Sequence, residues 1–142
     1  MVKTLNTLVK ITEYELEEKR KELNSFLNEK ERLVDEITMM ENVFLEEQKK
    51  SEMLGHELRL YLPRFLALTR DKQKIMIEQI ERLNPDIERL TDELYEVFTE
   101  NKKYEILRDQ KLQELKQALE KKTQLELDEI AVMKFIHTEN LV

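Results

Sequence analysis

Chemistry in this chain has to be sought among His56, His137, Ser25, Ser51 and the many carboxylates, because there is no cysteine to act as thiolate ligand or nucleophile. His56-Glu57 opens like the helical His-Glu-x-x-His zinc motif, whose second histidine, one turn on, completes the metal site. Leu60 stands there instead, so the motif fails. His137 has no histidine or cysteine beside it in the sequence and reads as a solvated side chain near a helix end. Phosphate cradles need several glycines to bring backbone amides close, and Gly55 is the only glycine. Ser25 and Ser51 lack the Gly-x-Ser-x-Gly setting of a nucleophile elbow. Asp128-Glu129 is the one acidic pair to watch, but general acid–base work needs carboxylates with separated pKa values in an enclosed site. Helix surface charge is the simpler reading of that spacing. The residues therefore predict a protein that is not an enzyme and holds no metal or cofactor.

The elements that carry these residues are helices. Of 142 residues, 39% are charged, only two are proline, and none is tryptophan, which is the bias of long helices. Aromatics make up 6%, too few for a thick core, so the buried surface is expected to be a thin seam within a single domain. The net charge of −7 is spread as alternating acid and base. Lys19–Arg20–Lys21, Lys102–Lys103 and Lys121–Lys122 each sit beside glutamates and read as solvated faces. No basic stripe suited to phosphates emerges, which argues against nucleic acid. The first six residues have no signal-peptide apolar run, and no stretch approaches the ~18 apolar residues of a membrane span. A soluble intracellular protein without membrane insertion is the expectation.

Apolar residues return every three or four positions from Leu5 nearly to the end. Val9, Leu16, Leu23, Lys30, Ile37 and Phe44 form one series; Leu5, Thr12, Lys19, Phe26, Leu33 and Met40 form the other. Together they make the a/d seam of a coiled coil. Met76, Leu83, Leu90, Val97, Tyr104, Lys111, Ala118, Leu125 and Val132 continue the pattern against Ile80, Ile87, Leu94, Asn101, Arg108, Leu115, Lys122, Glu129 and Ile136. Beyond Val97 the stripe weakens, as Asn101, Arg108, Lys111 and Lys122 take positions a seam buries.

Gly55 and Pro63 crowd the punctuation of the first half into nine positions, which predicts a hinge over residues 55–63. The fold class predicted is all-α: a long antiparallel two-helix coiled-coil hairpin, with helix 1 over about 5–54, beginning near Thr4 or Asn6, and helix 2 over about 63–137. Asn84-Pro85-Asp86 could stop and restart the second helix, but the heptad phase passes unchanged from Leu83 to Leu90, favouring a kink. The arms are unequal, about 50 and 74 residues, or roughly 75 and 110 Å at about 1.5 Å per residue. A C-terminal overhang of about five turns then needs another partner.

Leu5-Asn6-Thr7-Leu8-Val9-Lys10-Ile11, followed by Glu15-Leu16-Glu17-Glu18-Lys19-Arg20, resembles the start of the flagellar FliJ family, the small coiled-coil protein of the flagellar type III export apparatus. Val97-Phe98, Lys102-Lys103-Tyr104-Glu105-Ile106-Leu107 and Gln124-Leu125-Glu126-Leu127-Asp128-Glu129-Ile130-Ala131 look like its alphaproteobacterial branch. The weight rests on Tyr104, Gln124, Asp128 and Ala131, which the seam does not explain. The resemblance implies a cytoplasmic protein at the flagellar base on the inner membrane, shaped like a rotary ATPase stalk. Its implied partners are the hexameric flagellar export ATPase, the export-gate cytoplasmic domain and export chaperones. It implies ATPase binding by Leu125, Asp128, Glu129, Val132 and Met133 on the overhang, and export-gate binding by Phe65, Leu66, Thr69, Lys72 and Met76. For Phe65 and Met76, membership of the helix seam is an equal alternative.

The rival expectation is a structural scaffold, two copies in a parallel dimeric coiled coil with Pro63 and Pro85 as kinks and no ATPase partner. Lys19, Lys30, Asn101 and Arg108 would then fix register. The hairpin predicts a monomer when free.

Overall fold

The computed structural model describes residues 1–140, and for residues 54 and 56–59 the backbone alone. Two helices make up the fold: α1, Val2–Leu54, and α2, His56–Asn140. They pack against each other antiparallel as a coiled-coil hairpin, each helix filling the other's seam where the two run side by side.

The turn is tighter than the sequence predicts. Gly55 alone interrupts the helices, with φ at +104°, in the region that a side chain's Cβ disfavours. Pro63 lies inside α2 and does not open it, and α2 also runs through Pro85 without a break. Proline lacks the N–H that would bond the carbonyl four residues back, but one missing bond does not end a helix whose apolar phase continues on both sides. At the other end α1 begins at Val2, earlier than Thr4 or Asn6. Val2 and Leu5 are already half-buried, and the Leu5 amide donates to the Met1 carbonyl at 3.0 Å, so packing sets the start without a capping side chain.

The chain divides into two compact units, and both helices contribute to each. The first combines Met1–Glu15 with the chain from Val97 onward; the second is Leu16–Glu96. In the second unit Leu16, Leu33, Phe44 and Leu90 are buried, Leu90 completely, and every one is a predicted seam residue. Ser51, Thr69 and Gln73 are buried with them. They continue the same heptads, one repeat after Phe44 and one before Met76 and Ile80.

Buried polar groups in this unit are satisfied, as burial requires. The Ser51 hydroxyl donates to the Gln48 carbonyl at 3.0 Å, and Gln73 Nε2 donates to the Ile37 carbonyl at 3.3 Å and to Glu41 at 3.1 Å. Arg70 donates to the same Glu41 carboxylate and lies 6.0 Å from the centre of the Phe44 ring. Nearer the middle of the helices, Lys19 Nζ donates to Glu93 at 2.7 Å, and Arg89 reaches the same carboxylate at 3.0 Å. Lys19 occupies a seam position by spacing. Its stem lies in the seam while its ammonium reaches out to an acidic partner across the helix pair.

In the first unit Val9, Thr12 and Asn101 are the buried residues. Asn101 Nδ2 donates to Thr12 Oγ1 at 2.8 Å and to the Val9 carbonyl at 3.3 Å, while Thr12 Oγ1 donates to the Leu8 and Val9 carbonyls at 2.9 and 3.0 Å. A polar residue that finds its partners at only one pairing offset sets register, and Asn101 does this for α1 against α2. Tyr104, one turn on, donates its hydroxyl to Glu100 at 2.9 Å; that bond, then burial and the charges of Glu100 and Glu15, hold its pKa above the ordinary phenol value.

Candidate functional site: the bare arm of α2 and the hinge end

Two surfaces carry the residues proposed for function. The first is the arm of α2 from Leu112 to Asn140, where every residue is exposed. Near its root a shallow concavity is lined by Met1, Val2, Lys3, Lys111, Glu114, Leu115 and Ala118, so the start of α1 lies beside that stretch. Beyond it, among the described residues, nothing covers the helix. Leu119, Leu125, Met133 and Phe135 are each between 63 and 70% exposed, figures that belong to surface charges and not to large apolar side chains.

The arm's apolar residues are not confined to a stripe. Ile130, Ala131, Val132 and Met133 are consecutive, and at about 100° per residue they point to every side of the helix. Lys134 breaks the run before Phe135 and Ile136 resume it. A helix apolar all round belongs in a buried setting.

Leu125, Asp128, Glu129, Val132 and Met133 all lie on this arm and are exposed. Their spacing puts them on one face, in the heptad phase of the seam. Asp128 accepts a hydrogen bond from Gln124 Nε2 at 3.1 Å, four residues back on the same helix. Asp128 and Glu129 both stand exposed on the helix surface. His137 sits in a shallow depression with Ile130, Met133, Lys134 and Thr138. Among the described residues no cluster of three histidine or acidic side chains could hold a metal, and the side chains of His56 and Glu57 lie outside them.

The second surface is the hinge end of the Leu16–Glu96 unit. Of the five residues proposed there for the export gate, Thr69 is buried and Leu66 and Met76 are half-buried. Phe65 is half-buried in an aromatic stack, 6.2 Å from Phe44 and 6.0 Å from Tyr61 between ring centres. Lys72 alone is exposed. Sequence reasoning passed over what lies outside them: Leu60, Tyr61, Leu68 and Ile75 are all more than half exposed. Tyr61, Leu68 and Ile75 recur at sevens on α2 next to the seam, and that spacing was a usable signal.

No helix among the described residues is long and apolar enough to cross a membrane. The fold is thus a helical hairpin whose α2 arm exposes large apolar side chains. The chain matches the family model described as Flagellar FliJ protein over residues 1–140, and it belongs to that family, which serves flagellar protein export. No curated protein and no solved structure matches it.

Proposed function

We propose that this chain is the central-stalk-like component of flagellar type III export, binding the hexameric export ATPase through the arm of α2 and coupling it to the export gate through the hinge end. The observation that carries the reading is the arm itself: about eight turns of exposed helix, clear of α1 beyond Ala118 and apolar on all sides around residues 130–133. A binding ring encloses a helix from every direction, which is the environment that such a segment needs. Leu125, Asp128, Glu129, Val132 and Met133 are the contacts on this reading.

The mechanism is differential contact. Five side chains on one face make the arm asymmetric, so it binds one subunit conformation better than another and shifts their populations by that difference alone. It uses no chemistry of its own. At the hinge end, Lys72 is the gate residue already accessible, while Phe65, Leu66, Thr69 and Met76 act through the shape of the packed surface unless the helices part. Escort of export chaperones, and a place at the flagellar base on the cytoplasmic side of the inner membrane, belong to the same reading.

The test is capture of the purified export ATPase by the tagged chain, wild type against Asp128→Lys with Glu129→Lys. Charge reversal at two interface positions is expected to weaken capture by about tenfold or more, with helicity unchanged. Undiminished capture would remove the arm from the ATPase interface.

A further inference from the structure

The arm has a property beyond its apolarity: its charges are sorted along its length. From Lys111 to Lys122 stand Lys111, Lys116, Lys121 and Lys122 against Glu114 and Glu120; from Thr123 onward stand Glu126, Asp128, Glu129 and Glu139 against Lys134. The root half is basic and the tip half acidic. Elsewhere in the hairpin such charges find each other across the helices, as Lys19 finds Glu93 and Arg70 finds Glu41. On the arm Lys121, Lys122, Glu126 and Glu129 have no ion-pair partner among the described residues.

The heptad phase of the seam runs on into this stretch, since Lys111, Glu114, Leu115 and Ala118 are the α2 residues that face the start of α1. Carried to the tip, the phase puts Leu125 and Val132 at one core series and Leu115 and Ile136 at the other, with Leu119 and Met133 on the flank. Leu127 and Ile130 fall outside it. Lys122 and Glu129 are the polar interruptions of the core, seven residues apart and opposite in sign.

We infer that the arm docks on a second copy of itself, the two arms antiparallel and centred near Gln124 and Leu125. In that arrangement Lys121 and Lys122 of each copy meet Glu126, Asp128 and Glu129 of the other, twice over by the two-fold axis. The core pairs apolar residues of one root with those of the other tip. The polar interruptions come to rest as Lys19 already does inside the hairpin, each lysine in the seam with its ammonium on an acidic neighbour. A parallel pairing in register sets Lys122 against Lys122 and Glu129 against Glu129 in the core, so these core charges favour the antiparallel form. Residues 112–136 are clear of α1 apart from its first residues beside the root, so both copies are free along the overlap.

On the proposed function, on which this consequence rests, self-pairing covers Leu125, Asp128, Glu129, Val132 and Met133. The paired chain is a stored form, and an ATPase must displace the second copy to bind.

Sedimentation equilibrium of the full chain over a range of concentration and salt tests the pairing directly. The expected result is a concentration-dependent dimer that weakens as salt rises. Lys121→Glu with Lys122→Glu is expected to shift the dimerisation constant by about tenfold or more towards monomer. Adding Asp128→Lys and Glu129→Lys to that variant restores the complementarity and the dimer, which only an antiparallel pairing predicts. A monomer at every concentration overturns the inference, as does a dimer indifferent to these changes. The ATPase reading is scored separately by capture: a self-pairing arm that captures no ATPase sinks the stalk role and leaves the dimer standing.

Discussion

The Leu16–Glu96 unit and the arm of α2 carry the same heptad spacing and come to opposite ends. In the first, Leu90 is fully buried and even polar seam residues such as Gln73 are covered and satisfied. In the second, Leu125 and Val132, in the same phase on the same helix, are both more than half exposed. Spacing encodes a face; whether the face is covered depends on how far the other helix reaches. α1 supplies a partner only where it runs alongside, and past its first residues the pattern in α2 continues with nothing opposite. The apolar side chains of the arm thus contribute little to the stability of the free chain, which leaves their free energy of burial to be released on binding.

The sharpest break in that comparison is one substitution made in both places. Leu90→Ala removes a completely buried side chain and is expected to destabilise the hairpin by about 2–5 kcal/mol, while Leu125→Ala on the arm should lie within about 0.5 kcal/mol of wild type. Leu33→Ala should follow Leu90, since Leu33 is 2% exposed. Urea unfolding followed by circular dichroism reads both. Equal losses at Leu90 and Leu125 would mean that the arm is packed in solution against something the hairpin lacks. A loss at Leu125 that appears only at high concentration would identify the second copy.

Gly55 comes next, because its effect falls on the turn and not on either face. Among the described residues, its chain neighbours aside, no atom lies within 4 Å of where a Cβ would stand, so Gly55→Ala meets no clash there. Its cost is the left-handed backbone alone, about 1–2 kcal/mol. A substitution without effect in the same unfolding measurement would show that the helices can turn elsewhere, for example at the residues before Pro63.

Much of this was legible in the sequence, and the misses have causes. The buried residues Val9, Thr12, Leu16, Leu33, Phe44, Leu90 and Asn101 were all readable from spacing, because a long helix pair allows only one continuous contact line. Ser51, Thr69 and Gln73 occupy the same line but are polar, and a pattern read through apolar residues stops short of them. Pro63 drew the hinge too wide, since proline's rules describe where helices can start and say little about whether a packed helix must break. The exposure of the proposed residues on the arm was legible because it follows from unequal helix length. At the hinge end the burial of Thr69 and half-burial of Met76 follow from the phase of the seam, and the outward row of Tyr61, Leu68 and Ile75 was overlooked. The partners of ion pairs were hardest to foresee. Lys19 could have met any of several acids, and only the pairing offset of the helices selects Glu93.

The smallest effect, and the most discriminating between the two regions, is the response to pH. Glu93 is held below the ordinary carboxylate range first by the hydrogen bond from Lys19 and then by that from Arg89; Glu41 is lowered first by Arg70 and then by Gln73. A depressed carboxylate contributes stability that is present above its unfolded value and lost as pH falls through the folded one. Lys19 is raised, first by its bond to Glu93, so its contribution is present below the ordinary lysine range and fades as pH rises through the folded value. Both carboxylates and Lys19 are partly solvated, so screening keeps each contribution small. The hairpin should therefore have a stability plateau between the carboxylate and lysine ranges, with a shallow fall on the acid side. Glu93→Gln is expected to reduce that acid fall and to leave the response of Glu41 intact. An acid fall undiminished by Glu93→Gln would mean that this pairing stabilises nothing, and the ion pairs across the helices would no longer distinguish the Leu16–Glu96 unit from the arm.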